Sequence, residues 1–178
     1  LLFFLGVLSS FSLPPFNFFL INFFTFSIFF VFLFKKLDTK FSKKFFFLYG
    51  WLFGFGYFLT NVYWITISLT FDQNFNFLIP FALIIIPAFL ALFYGIITLI
   101  FYILNFKNLI SAFFLFSLLF GLIEYIRGNI LTGFPWNLIA YSFSENLEIL
   151  QIISFIGTYS FNILCISFFS SPAIFILR

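Results

Sequence analysis

The sequence predicts an all-α fold, a polytopic bundle of about six transmembrane helices with a re-entrant or interfacial arm on the outer side. Of its 178 residues, 64% are hydrophobic and only 7% are charged, whereas roughly a quarter of the residues of a soluble domain are charged. The few charges separate uncharged stretches that are long enough to cross a hydrocarbon core of ~30 Å. Prolines and glycines interrupt these stretches at positions where helices are expected to end.

The first uncharged run extends to Phe34 and is too long for one span, because 34 helical residues would reach ~51 Å. Pro14 and Pro15 divide this run into two helices, over 1–13 and 16–34. The remaining uncharged runs predict four more helices, over 45–69, 77–104, 108–127 and 146–169. Pro80 and Pro87 are expected to delay or kink the fourth helix. The transmembrane domain therefore covers 1–178.

The uncharged stretch 128–144 is predicted to be an arm and not a helix, because two glycines and Pro135 interrupt it. Irregular backbone at membrane depth is tolerated only where it is buried in protein or lines a cavity. Trp136 and Tyr141 favour the headgroup layer, where the ring is in apolar surroundings and the polar tip is wet. We therefore expect either an arm that lies in the outer interface and re-enters between helices, or a long loop that only packs.

The distribution of basic residues orients the bundle. The loop 35–44 carries five lysines and one aspartate, and we expect it on the cytoplasmic side. Counting crossings from this loop places Lys107 and Arg178 on the same side and the arm 128–144 on the outer side. Arg127 is the basic residue that this topology leaves outside. The net charge of +3 thus reflects membrane topology, and no nucleic-acid partner is expected.

Glu124 and Arg127 are three residues apart, so they share one face of a helix and can form an ion pair. Ionisable residues at such depth are costly and usually functional. In one interpretation, the planar guanidinium of Arg127 binds a lipid phosphate. In another, the ion pair fixes the arm to its helix. In a non-enzymatic transporter or channel module, the same two residues would lie along a pathway.

Further candidates lie on the third helix. Tyr63 and Trp64 place polar tips in its outer half, where they either line a cavity or hydrogen-bond to neighbours. Gly50 and Gly54 have the spacing that permits close approach of two helices. The sequence has no histidine and one cysteine, Cys165, inside an apolar span. We therefore expect neither histidine-based catalysis nor a metal site of clustered histidines and cysteines.

Two neighbouring motifs resemble the membrane domain of the apolipoprotein N-acyltransferase family. They are Glu124-Tyr125-Ile126-Arg127-Gly128 and Thr132-Gly133-Phe134-Pro135-Trp136. Similar segments occur in the same order at Leu13-Pro14-Pro15-Phe16, 50–56, 63–68, Tyr141-Ser142, Leu150-Gln151 and Phe155-Ile156-Gly157. The sequence departs from the family at Asn129, Ala140 and Phe143, where the family usually has an aromatic residue, a glycine and a polar residue.

The resemblance implies a multi-pass protein of the bacterial inner membrane, with the arm 128–144 periplasmic. It implies an enzyme that transfers an acyl chain from a phospholipid donor to the N-terminal amine of a diacylglyceryl apolipoprotein, through a thioester on the enzyme and without a cofactor. The nitrilase-like catalytic domain that the family carries is absent from this chain, so the resemblance implies no catalytic residue here and a fragment that is inactive alone. We also expect a monomer. The candidates for substrate binding or arm positioning are Glu124, Arg127, Trp136, Tyr141, Tyr63 and Trp64.

Overall fold

A computed structural model of the protein describes residues 1–38, 42–130 and 133–178, and these residues form helices and no strand. The all-α prediction is therefore confirmed. The α-helices are α1 (Leu2–Ser10), α2 (Ile21–Lys36), α3 (Lys43–Asn61), α4 (Ile79–Leu104), α5 (Leu109–Asn129), α6 (Leu147–Leu150), α7 (Ile152–Ile156), α8 (Thr158–Ser170) and α9 (Pro172–Leu177). Tyr63–Phe71, Gln73–Leu78 and Ile139–Phe143 form 3-10 helices. Part of the lysine-rich loop, 39–41, and part of the arm, 131–132, lie outside the described residues.

The second and third helices differ from the expected bounds. The helix predicted over 16–34 begins only at Ile21, because the chain after the two prolines folds into a turn in which the Phe18 N–H donates to the Phe11 carbonyl at 3.0 Å. The helix predicted over 45–69 ends as an α-helix at Asn61 and continues, after a bend of 47°, as a 3-10 helix. The bent segment is rich in β-branched residues, which lose side-chain freedom in an α-helix.

The predicted sixth helix, 146–169, is divided into α6, α7 and α8. The main break is at Gly157, whose φ of +80° is a left-handed conformation that glycine adopts without steric cost. Pro80 lies in the first turn of α4 and Pro87 lies inside it, so the expected delay of the fourth helix is seen at Pro80, while α4 continues through Pro87.

Two helical segments within the described ranges are long and apolar enough to span a membrane, Gln73–Leu104 and Leu109–Asn129. A third is obtained if Lys43–Asn61 and Tyr63–Phe71 are counted as one bent span. The helices that pack against them are shorter, such as α1 and α2 with 9 and 16 residues. The prediction of a helical membrane bundle is confirmed, although several of its helices are shorter than a full span.

Phenylalanine rings from α2, α3 and α5 fill the centre of the bundle. Phe29 of α2 stacks on Phe53 of α3 with ring centroids 4.2 Å apart, and both are fully buried. A Cβ on Gly50 of α3 would lie 2.1 Å from the carbonyl oxygen of Tyr94 on α4. This confirms the predicted close approach of two helices at Gly50, and it brings Tyr94 toward the centre of the bundle.

The contacts between loops separate the two ends of the bundle. At one end, Lys107 forms an ion pair with Asp38 of the lysine-rich loop at 2.5 Å. At the other end, the Asn17 amide donates to the Glu145 carboxylate at 2.6 Å. The first contact thus joins Lys107 to the loop 35–44, and the charge distribution assigned both to the same side. Which end faces the cytoplasm stays a prediction.

Candidate functional site

Glu124 and Arg127 lie in the last turns of α5, and each is only 1% exposed. The Arg127 Nε–H donates to Glu124 Oε2 at 2.8 Å, and Nη2 donates to the same oxygen. The predicted ion pair is therefore formed on one face of the helix. Because it is almost fully buried, each charge depends on its partner and its hydrogen bonds for stabilisation.

The guanidinium of Arg127 also binds the backbone of the arm. Its Nη1 donates to the carbonyl oxygen of Phe134 at 2.8 Å and its Nη2 to that of Trp136 at 2.9 Å. The Phe134 N–H returns a hydrogen bond of 3.0 Å to the Arg127 carbonyl. Four of the five N–H donors of the guanidinium are thus used within the protein. This arrangement favours the interpretation in which the ion pair fixes the arm to its helix over the one in which Arg127 binds a lipid phosphate.

Two tyrosines that sequence reasoning missed complete this hydrogen-bond network. The Tyr94 hydroxyl donates to Glu124 Oε1 at 2.8 Å, and the Tyr57 hydroxyl donates to the Asn137 carbonyl oxygen in the arm at 2.7 Å. Both tyrosines are fully buried. A tyrosine in a helix dominated by phenylalanine could have indicated these hydrogen bonds. Burying a hydroxyl in an apolar span is costly unless the hydroxyl has a hydrogen-bond partner.

Buried asparagines hold the far end of the arm, where Ile139–Phe143 forms a 3-10 helix. The Oδ1 of Asn162 on α8 accepts from the Ala140 N–H at 2.9 Å. The Nδ2 of Asn22 on α2 donates to the Ser142 hydroxyl at 3.2 Å. Neither asparagine was predicted from the sequence, although each has an apolar residue on either side of it. The arm is therefore fixed to α5 near its beginning and to α2 and α8 near its end.

The four aromatic candidates gather at the surface near the arm. Trp64 and Trp136 pack edge to face with ring centroids 6.2 Å apart, and Tyr141 lines the same cavity. Burial raises the pKa of the Tyr141 phenol above its ordinary value, so its hydroxyl stays protonated and donates to the Pro135 carbonyl at 3.4 Å. Tyr63 lines an adjoining cavity with Trp64. Of the two roles proposed for Tyr63 and Trp64, lining a cavity is the one that the structure favours.

Two depressions lie beside the arm, and they share no lining residue. The α4 groove, about 300 Å³, lies between Ile85–Phe93 of α4 and the arm, with Arg127, Ile130, Gly133 and Phe134 on the arm side. The aromatic cleft consists of two adjoining cavities of about 480 and 360 Å³, which have Pro14, Trp64 and Asn137 in common. The cleft lies between the 10–16 turn, the 59–64 segment and the 136–144 part of the arm.

Among the residues that the structure describes, no three His, Cys, Asp or Glu side chains come close enough together to hold a metal ion. Cys165 is buried in α8 and is not among the residues that line the groove or the cleft. The hydrogen bonds of the site hold an irregular arm in a fixed place between an apolar groove and an aromatic cleft.

Fold and site together define a helical integral membrane protein that has an arm fixed by a buried ion pair. A family model described as the apolipoprotein N-acyltransferase N-terminal domain matches residues 5–170. An apolipoprotein N-acyltransferase of Rhizobium rhizogenes is 34% identical over 178 residues, covering 95% of this chain and 33% of the relative. One from Rickettsia prowazekii is 40% identical over 164 residues, covering 91% of this chain and 32% of the relative.

The chain therefore belongs to the apolipoprotein N-acyltransferase family. The resemblance seen in the motifs around Arg127 and Trp136 is confirmed. The chain spans about a third of the length of the curated relatives that it matches. With its apolar helices and bacterial relatives, it is a bacterial membrane protein.

Proposed function

We propose that this chain is the membrane part of an enzyme that transfers an acyl chain from a phospholipid to the N-terminal amine of diacylglyceryl-cysteine lipoproteins. Family membership supports the reaction class. The structural observation that supports this chain's own role is the α4 groove, an apolar depression bounded on one side by the arm. In this proposal, the groove receives an acyl chain of the phospholipid donor, and the arm faces the periplasm, with the lysine-rich loop 35–44 on the cytoplasmic side.

The lining of the α4 groove suits hydrocarbon better than a headgroup. Its α4 side consists of isoleucine, leucine and phenylalanine side chains, and two of these lining residues, Ile85 and Phe89, are exposed. Arg127, its one charged lining residue, is engaged with Glu124 and with the arm carbonyls. An acyl chain can therefore enter the groove from the bilayer without desolvating a free charge.

In the proposed reaction, the chemistry occurs on a cysteine of a nitrilase-like domain outside these 178 residues. The cysteine thiol attacks the ester carbonyl of the phospholipid and forms a thioester, and its proton passes to the oxygen of the lysophospholipid that is released. The free amine of the lipoprotein then attacks the thioester, forms an amide and releases the thiol. The role of the described residues is to position the groove. The hydrogen bonds from Arg127 hold the Phe134 and Trp136 carbonyls in place, and they thereby fix one wall of the groove.

Substituting Ile86 with tryptophan tests the proposal, because the larger side chain fills the α4 groove. The gene product that contains this chain is expressed in bacterial cells depleted of their own N-acyltransferase. The N-terminus of a lipoprotein is then analysed by mass spectrometry. We expect the unsubstituted protein to add one acyl chain, and Ile86→Trp to slow this addition several-fold. Ile84→Trp is the matched control, because Ile84 is 58% exposed on the same helix and does not line the groove.

Two outcomes contradict different parts of the proposal. If the unsubstituted protein leaves the lipoprotein amine free, the proposed reaction is wrong. If the amine is acylated and Ile86→Trp acts as fast as Ile84→Trp, the reaction stands and the role of the α4 groove is wrong.

A further inference from the structure

The aromatic cleft has a lining that suits a ligand other than the acyl chain. Among the described residues that form its two cavities, none carries a charge. Its walls are aromatic, and they include Trp64, Trp136 and Tyr141. Because the two cavities share lining residues, they adjoin and form one cleft. Two adjoining cavities without a charged side chain suit an uncharged segment long enough to occupy both better than a headgroup with a formal charge.

Two amide groups in the cleft lack partners. The Asn61 Nδ2 and the Asn137 Oδ1 are buried and have no hydrogen-bond partner among the described residues, and both side chains line the larger cavity. Leaving a buried polar group unpaired costs ~1–3 kcal/mol, and native structures contain few such groups. A ligand in the cleft can satisfy this donor and this acceptor once the two side-chain amides turn toward the cavity.

Asn137 is held firmly for such a role. Its backbone has a left-handed φ of +61°, and its carbonyl oxygen accepts the hydrogen bond from the buried Tyr57 hydroxyl. The side chain is thus presented from a backbone that both α3 and the arm fix. A peptide group has one C=O, which accepts from Asn61, and one N–H, which donates to Asn137.

We propose that the aromatic cleft binds an extended, uncharged peptide segment through its main chain, and that this segment consists of the residues after the lipidated cysteine of the acceptor. The identification of the segment rests on the proposed function. Main-chain recognition gives affinity without requiring a particular side chain. The edge-to-face pair of Trp64 and Trp136 provides the apolar walls on which the segment packs.

Tryptophan fluorescence of the 178-residue chain in lipid nanodiscs tests this proposal. The chain has three tryptophans, and Trp51 lies elsewhere, where its indole N–H donates to the Ala88 carbonyl. Trp51→Phe therefore leaves only the two reporters in the cleft. The probe is a synthetic diacylglyceryl-cysteine carrying five uncharged residues, and the reference probe is the same lipidated cysteine with no residues after it. We expect a saturable fluorescence change with the peptide probe, and at least about ten-fold weaker binding of the reference probe.

Substitutions in the same Trp51→Phe background separate the amides from the aromatic walls. Asn61→Ala and Asn137→Gly are each expected to weaken binding of the peptide probe about ten-fold. Glycine is chosen at 137 because it adopts the left-handed φ without strain. Asn74→Ala is the matched control, at an exposed asparagine outside the cleft, and it should bind as the background does. An unchanged thermal midpoint in each variant establishes that it is folded.

Equal binding of the two probes, or unchanged binding in folded Asn61→Ala and Asn137→Gly, would overturn the proposal. Binding in this assay requires no acyl transfer. A protein that binds the peptide probe but leaves the lipoprotein amine free in cells would therefore contradict the proposed function alone, and one that acylates without such binding would contradict this inference alone.

Discussion

Replacing Arg127 with methionine is expected to lower the free energy of unfolding by ~3–5 kcal/mol, the range found when one partner of a buried ion pair is removed. The substitution leaves the Glu124 carboxylate charged and buried, with the Tyr94 hydroxyl as its remaining partner. It also removes the donors to the Phe134 and Trp136 carbonyls. Reversible SDS titration of the purified chain in mixed micelles measures this change.

Two further variants identify the cause of the loss. Lys107→Met breaks the Lys107–Asp38 pair, whose side chains are 55% and 79% exposed, so a cost below ~1 kcal/mol is expected. The double variant Glu124→Gln/Arg127→Met removes both buried charges and should recover part of the stability. If Arg127→Met costs no more than Lys107→Met, Arg127 does not stabilise the fold, and the lipid-phosphate interpretation gains support.

Replacing Gly50 with alanine is expected to give the second large effect, a loss of ~1–3 kcal/mol or more in the free energy of unfolding. The new Cβ would meet the Tyr94 carbonyl oxygen at 2.1 Å. Because that oxygen belongs to the backbone of α4, relief requires α3 and α4 to move apart. The separation would also displace the Tyr94 hydroxyl from Glu124. The same SDS titration applies.

Gly121→Ala on α5 is the matched control. Its Cβ would lie 1.9 Å from a side-chain carbon of Ile163, which can turn away at lower cost than a backbone can. Both substitutions gain the same helix propensity, so this contribution cancels. A loss at Gly121 equal to or larger than the loss at Gly50 would show that backbone contact between α3 and α4 does not limit the packing.

The Glu124–Arg127 pair could be predicted because its two members are close in sequence and one helix brings them together. Their partners in the arm could not be predicted in the same way. The hydrogen bond between Tyr57 and Asn137 joins residues 80 positions apart, and no periodicity indicates which carbonyl a hydroxyl will reach. Local spacing therefore identified the ion pair, and only the tertiary structure shows what it binds.

Hydropathy predicted where apolar runs begin and end, and it was less informative about breaks within them. The bend after Asn61 and the division at Gly157 both occur inside uncharged stretches. No charged residue therefore marks either break in the sequence. A glycine is compatible with both a helix and a left-handed turn, so Gly157 indicates a possible break without establishing one. The arm was predictable as a non-helical segment because glycine and proline occur in it together.

Hydrogen–deuterium exchange of the Arg127→Lys variant tests the central claim most directly, namely that the Arg127 guanidinium holds the arm. Lysine keeps the charge beside Glu124, and it could still attract a phosphate, but a single ammonium lacks the planar fork that reaches two carbonyls. We expect faster exchange of the amides in 133–143, with the first turns of α5 exchanging as before. Unchanged protection of the arm in a folded Arg127→Lys protein would contradict the claim.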